Sequence, residues 1–93
     1  MNARAYMAFV AEVGCVLCKR IGWMQQTRTC VHHIRTGMGA GQRASDWLTV
    51  ALCEDCHAGK TGIHGDKSRL RQAKCDELDL LADTIAAVHN RRD

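Results

Sequence analysis

Ninety-three residues make one domain, and a domain this small buries a modest share of its surface, so its apolar core alone leaves a thin margin of stability and some staple is expected. Thirteen Lys and Arg against ten Asp and Glu give a formal charge of +3, too mild a bias to establish a polyanionic partner by itself. No stretch approaches the roughly 20 apolar residues a membrane span needs, which argues against a membrane-spanning protein.

From Asn2 to Val13 the chain is rich in good helix formers, and Tyr6, Phe9, Val10 and Val13 recur at three- and four-residue steps. The pattern predicts a helix stopped by Gly14. Its apolar run from Ala5 to Ala11 is short for the core of a signal peptide and is halted by Glu12, with no convincing cleavage site before Cys15. The six cysteines are therefore expected as reduced thiols in a cytoplasmic protein. Cys15 to Cys18 reads as a tight turn and Lys19 to Thr27 as a connecting segment, in which Trp23 is expected to cover the small core. Thr29 to Ile34 is short and β-branched, which predicts a strand. The segment Gly37-Met38-Gly39-Ala40-Gly41 is too glycine-rich for an element interior and must be a loop. Trp47 to Leu52 reads as a second strand that delivers the chain to Cys53, and Asp55 to about Lys60 as a short helix limited by Gly59 and Gly62. From Asp66 to His89 the stripe Leu70, Ala73, Leu78, Leu81, Ile85 and Val88 predicts one long bracing helix, with Asp66 capping its first turn. No repeat, linker or second domain interrupts residues 1–93, so the fold class is a single small α+β domain.

Two cysteine pairs carry the strongest chemical signal. Cys15-x2-Cys18 and Cys53-x2-Cys56 are two turns that each aim both sulfurs at one spot, and together they supply the tetrahedral all-thiolate shell of a closed structural zinc site. A redox role would need only one such pair, and neither sits in a thioredoxin-like βαβ setting. Cys30 and Cys75 lack such partners and are expected as buried small hydrophobes.

Of the five histidines, His32, His33, His57 and His64 fall between the first strand and the loop before the last helix. Imidazole ligates divalent metals and also moves protons near neutral pH. Neighbours on a strand point to opposite faces, so His32 and His33 are not expected to share a job: one ligates and the other acts as a base. In the competing view, His57 and one of that pair complete a second zinc site in a non-catalytic binding module. Arg35, Arg43, Lys60, Lys67, Arg69 and Arg71 follow the histidine pair closely, while acids gather at Asp76, Glu77, Asp79 and Asp83. Such a local basic patch suits a phosphate backbone.

The order C-x2-C, His-His-Ile on a strand, a loop, a strand ending in Leu-Cys, then C-x2-C-H opening a helix resembles the HNH nucleases with their ββα-metal fold. It is similar in particular to the phage recombination-enhancement (Ref-type) HNH nucleases, which share His-His-x-Arg-Thr-Gly-x-Gly, here His32 to Gly39. The likeness continues through Gln42-Arg43-Ala44-Ser45, Leu52-Cys53 and Ile63-His64-Gly65-Asp66, and covers about Val13 to Arg71. It implies a bacterial or phage-encoded, metal-dependent endonuclease whose partner is DNA, with no small-molecule substrate. Carried over by position, His32 and His57 hold the catalytic metal (Mg, Mn, Zn or Ni), with His64 as a third ligand, and His33 is the general base. Arg35 and Arg43 would clamp neighbouring phosphates, and Lys60, Arg69 and Arg71 would contact the DNA backbone without reading sequence. The chain departs from the pattern near Leu48, where the Asn that orients the loop is expected. Asp46 is the side chain that could substitute by hydrogen-bonding the loop.

Overall fold

Helix α1 (Ala3–Val13) starts where Asn2 caps it, the Asn2 side-chain oxygen accepting the Ala5 N–H at 2.8 Å. The computed structural model describes residues 1–92. After Gly14 the chain turns straight into a second helix, α2 (Val16–Ile21), whose N-cap is Cys15. The segment expected as a turn and a connection is thus partly helical. Gly22 ends this helix at φ 89° and ψ 20°, a left-handed conformation that glycine adopts without steric cost, and its N–H closes on the Cys18 carbonyl.

Strands β1 (Thr29–His33) and β2 (Thr49–Cys53) pair antiparallel, from Thr29 opposite Cys53 to His33 opposite Thr49. All five residues of β2 are buried, as a run of Thr, Val, Ala, Leu and Cys dictates for a strand covered on both faces. In β1 only His32 is buried, so the strand turns one imidazole into the protein and leaves the next partly open. Helix α3 (Glu54–His57) follows β2 without a linker.

The long helix expected from Asp66 to His89 is two helices, α4 (Ser68–Ala73) and α5 (Glu77–Arg92). Lys74 breaks the run in a left-handed conformation at φ 55°, its N–H bonded to the Leu70 and Arg71 carbonyls. Asp76 and Asp79 then cap a new start reciprocally: each carboxylate accepts the other residue's backbone N–H at 2.9 Å. This is the capping-box logic with Asp in place of Glu, and it outweighs the apolar periodicity that spans the break.

The core gathers Val10, Leu17, Val50, Leu52 and Leu80, all without accessible surface. Burying each leucine contributes about 1.5–3 kcal/mol. Helix α5 braces the sheet through Leu80, Val88 and Thr84. The Thr84 hydroxyl accepts the Ala51 N–H at 3.3 Å while donating to the Leu80 carbonyl at 2.9 Å. Trp23, expected over this core, is 42% exposed, and Cys30 and Cys75 are half-buried instead of fully covered. The architecture is mixed α+β, a two-stranded antiparallel sheet packed with helices. Among the described residues no helix is long and apolar enough to cross a membrane.

Candidate functional site

The two cysteine pairs meet. Cys15 and Cys18 stand at the start of α2 and Cys53 and Cys56 at the start of α3, all four buried, none in a disulfide, with sulfurs within 4.8 Å of one another. Cys18 Sγ lies 3.8 Å from Cys53 Sγ and 3.7 Å from Cys56 Sγ. Four thiolates at zinc's usual bond length of about 2.3 Å, arranged tetrahedrally, stand about 3.8 Å apart, so the cluster has the dimensions of a structural zinc site. Its electrostatics point the same way. The hydrogen bond between Cys56 and Cys15 holds the Cys15 thiol down at about 5 and pushes Cys56 up, while burial and the neighbouring Cys15 charge push Cys18 up to about 12. Four buried thiols cannot all ionise unaided, and a divalent cation would supply the missing charge.

Arg69, a predicted backbone contact, is turned to this cluster. Its Nη1 donates to Cys56 Sγ at 3.3 Å and its Nε to the Thr61 hydroxyl at 2.7 Å, and the guanidinium lies 5.1 Å over the Trp23 ring. Trp23 therefore serves as a platform for a cation beside the thiolates.

A second cluster forms from His32, His57 and His64, whose ring nitrogens converge within 4.8 Å. The rings meet edge to face, with centroids 4.7–5.1 Å apart. Each comes from a different element: His32 from β1, His57 from the end of α3, His64 from the following loop. That loop is bonded back onto α3, the Ile63 N–H to the Cys56 carbonyl at 2.8 Å and the His64 N–H to the His57 carbonyl at 2.9 Å. Only glycine fits at Gly62, where a Cβ would lie 2.5 Å from the Cys56 carbonyl oxygen. Burial lowers the basicity of His32 and His57 below the ordinary imidazole value, reinforced at His57 by the other two rings. Neutral rings offer lone pairs, so the trio could hold a divalent metal. Burial falls from His32 through His57 to exposed His64, and a cleft of about 600 Å³, lined by His32, His64, Arg35, Thr36 and Lys67 among others, opens on that side.

Behind His32 stands Glu77, 8% exposed, with Oε2 2.6 Å from His32 Nε2. Its oxygens also accept the Arg35 N–H at 2.8 and 2.9 Å, and the Thr36 N–H and hydroxyl at 2.7 Å each. Burial alone would raise this carboxyl; the bonds from Thr36, His32 and the Arg35 backbone overcome it and bring it down to about 2. Sequence reasoning missed Glu77 because an uninterrupted helix puts it on an acidic outer face. The signal was the Asp76-x2-Asp79 box, which marks a helix start and places Glu77 in the first turn.

His33 occupies the other side of β1. Its Nε2 lies 2.8 Å from Asp46 Oδ1 and 2.9 Å from Arg43 Nη2, and Arg43 Nη2 is itself 3.2 Å from the same carboxylate oxygen. Nδ1 takes part in none of these contacts. Arg35 donates from Nη1 to the Gln42 carbonyl at 2.6 Å and from Nη2 to the Gly39 carbonyl at 3.2 Å, tying down the glycine-rich loop. Lys60 is exposed, as is Arg71, which donates to the Asp66 carbonyl at 3.0 Å. The structure thus brings together the four cysteines in one cluster and His32, His57 and His64 in another, sets His33 apart with Asp46 and Arg43, and spreads the other cations around them. Against known proteins, the chain matches no family model, no curated protein and no solved structure.

Proposed function

We propose that this chain is a metal-dependent DNA endonuclease of the HNH type, built on a ββα-metal core with a structural zinc in the four-cysteine cluster. The observation that carries the reading is the pairing of the His32, His57 and His64 nitrogens, within 4.8 Å of one another beside an open cleft, with a separate histidine, His33, anchored on the strand's other face by Asp46. Phosphodiester hydrolysis needs a deprotonated water on one side of phosphorus and charge stabilisation at the leaving oxygen on the other. A divalent ion held by the three histidines would supply that stabilisation as a Lewis acid. His33 takes the proton of the attacking water at Nδ1, the nitrogen left over when Nε2–H donates to Asp46. Asp46 in this way does the orienting work expected of the motif Asn. Arg43, beside His33 and largely exposed, is free to swing onto a phosphate, and a planar guanidinium grips two phosphate oxygens at once. Lys60 and Arg71 add sequence-independent contacts to the backbone.

The rival reading is a non-catalytic zinc module that binds nucleic acid, which the four-cysteine cluster alone would satisfy. Metal counting with a plasmid nicking assay separates the two. The nuclease reading expects one tightly held zinc plus a second divalent ion per chain, loss of supercoiled plasmid with Mg²⁺, Mn²⁺, Zn²⁺ or Ni²⁺, and loss of that cleavage in His33→Ala with both metals retained. Intact plasmid under every ion, or wild-type cleavage by His33→Ala, refutes it.

A further inference from the structure

We infer that Glu77 is the positioning residue of the histidine cluster: by accepting the Nε2–H of His32 it fixes that ring's tautomer and presents Nδ1 as the metal-binding nitrogen. The inference rests on the reading of His32, His57 and His64 as a metal site.

Glu77 accepts from every group around it. The Arg35 N–H reaches both of its oxygens, and the Thr36 N–H and hydroxyl both reach Oε1. A carboxylate satisfied by that many donors carries no proton to give, so in the 2.6 Å contact at Oε2 the donor is His32 Nε2. A neutral imidazole with Nε2 protonated has its lone pair at Nδ1, and the hydrogen bond also fixes the ring's rotation about its axis to the backbone. Outer carboxylates of this kind orient metal-bound histidines and raise their basicity, and their loss typically costs 10–100-fold in metal affinity.

The placement of Glu77 has a sequence cause. The left-handed turn at Lys74 and the Asp76–Asp79 caps begin α5 at Glu77, which swings its side chain under the exit of β1. All of its partners lie within residues 32–36, so one side chain both anchors the helix start to the strand end and sets the ring that ends up in the cluster. His57 and His64 have no hydrogen-bonded carboxylate among the described contacts, which makes His32 the ligand with a prescribed nitrogen and the other two the adjustable ones.

The test uses full-length protein with its cysteine site zinc-loaded, and titrates Co²⁺ into the second site of wild type, Glu77→Gln and Thr36→Val, with the His32 tautomer read by long-range ¹H–¹⁵N NMR before metal is added. Expected are an Nε2–H tautomer at His32 in wild type, a mixed or Nδ1–H population in Glu77→Gln, and roughly 10–100-fold weaker Co²⁺ binding in that variant. Thr36→Val, which removes one bond to the same carboxylate but leaves the His32 contact, should bind Co²⁺ like wild type. An Nδ1–H tautomer in wild type, undiminished affinity in Glu77→Gln, or an equal loss in Thr36→Val overturns the inference. Should Glu77→Gln fail to fold, the wild-type tautomer and Thr36→Val still decide it. Failure of wild type to take up Co²⁺ beyond the zinc site would sink the metal-site reading itself, a result distinct from a metal-binding wild type that ignores Glu77.

Discussion

If this chain cleaves DNA as proposed, replacing Asp46 by Ala should slow cleavage by roughly 10–100-fold, and the size follows from the contacts at one nitrogen. His33 Nε2 lies 2.8 Å from Asp46 Oδ1, with the two side chains 21% and 41% exposed. A hydrogen bond to a charged group contributes about 1.5–3 kcal/mol when buried, and partial exposure leaves about half of that. Through orientation alone this is about a 3–12-fold effect on rate, at about 1.4 kcal/mol per tenfold. A second contribution comes from Arg43, whose Nη2 is 2.9 Å from the same nitrogen. Nε2 cannot donate to Asp46 and accept from Arg43 at once. Without Asp46, Arg43 becomes the partner, the proton moves to Nδ1, and the base loses its lone pair on the working side. The floor is set by losing a general base altogether, about 10²–10⁴-fold. Asp46→Asn keeps an acceptor oxygen at the same reach and should stay within a few-fold of wild type. Single-turnover nicking of supercoiled plasmid, with enzyme and divalent ion saturating, reads these differences without confusion from DNA affinity. The Arg43→Ala, Asp46→Ala double variant should lose less than the product of the two single losses, since the donor that competes for Nε2 is gone. Wild-type rates in Asp46→Ala, or single losses that simply multiply in the double variant, would show that Asp46 does not set the state of His33.

Cys18→Ser should lose zinc and either unfold or melt far below wild type, because metal binding and folding are one process in such sites; elemental analysis alongside circular dichroism checks it, and full zinc content with an unchanged Tm contradicts the structural-zinc assignment. Arg69→Met should surrender its structural zinc to a chromogenic chelator faster than wild type, since the N–H bond to Cys56 Sγ and the cation on Trp23 are both lost; an unchanged release rate would mean that the contact is incidental. Thr84→Val strands the Ala51 N–H inside the core at a cost of about 1–3 kcal/mol. For a chain of this length that is a fall in Tm of at least about 4 °C, which Thr84→Ser should largely avoid in a calorimetric scan under saturating zinc.

Much of this architecture was legible from residue types and spacing. The cysteine pairs announced their own cluster because the C-x2-C turn is a local geometry that needs no knowledge of the fold. The period of two in a strand separated His32 from His33, and the halt at Gly14 bounded the end of the first helix. What stayed hidden were side chains whose roles depend on a partner far along the chain. Arg69 reads as one more surface cation until α4 swings it onto Cys56, 13 residues earlier. Glu77 meets His32 across 45 residues, and an apolar stripe that continues through Lys74 masked the turn that makes this meeting happen. The break itself was written in two aspartates, whose caps were overshadowed by the stronger periodic pattern.

The stretch from Cys53 to His64 has a consequence for how this protein tolerates change. Loops ordinarily absorb insertions and deletions with little penalty, and residues 58–65 have no regular secondary structure to protect. Yet this loop is bonded in register to the turn before it through Cys56 and His57, and Gly62 and Gly65 lie so close to neighbouring carbonyls that a Cβ would come within 2.5 and 2.2 Å of them. A single added or missing residue here would shift His64 against His57, and a shift that reached α3 would move His57 against Cys56. In a scan of one-residue insertions, this irregular segment should behave as the least permissive part of the molecule, while residues 37–41, bonded to Arg35 and Gln42 at the loop's own ends, take extra length with less harm.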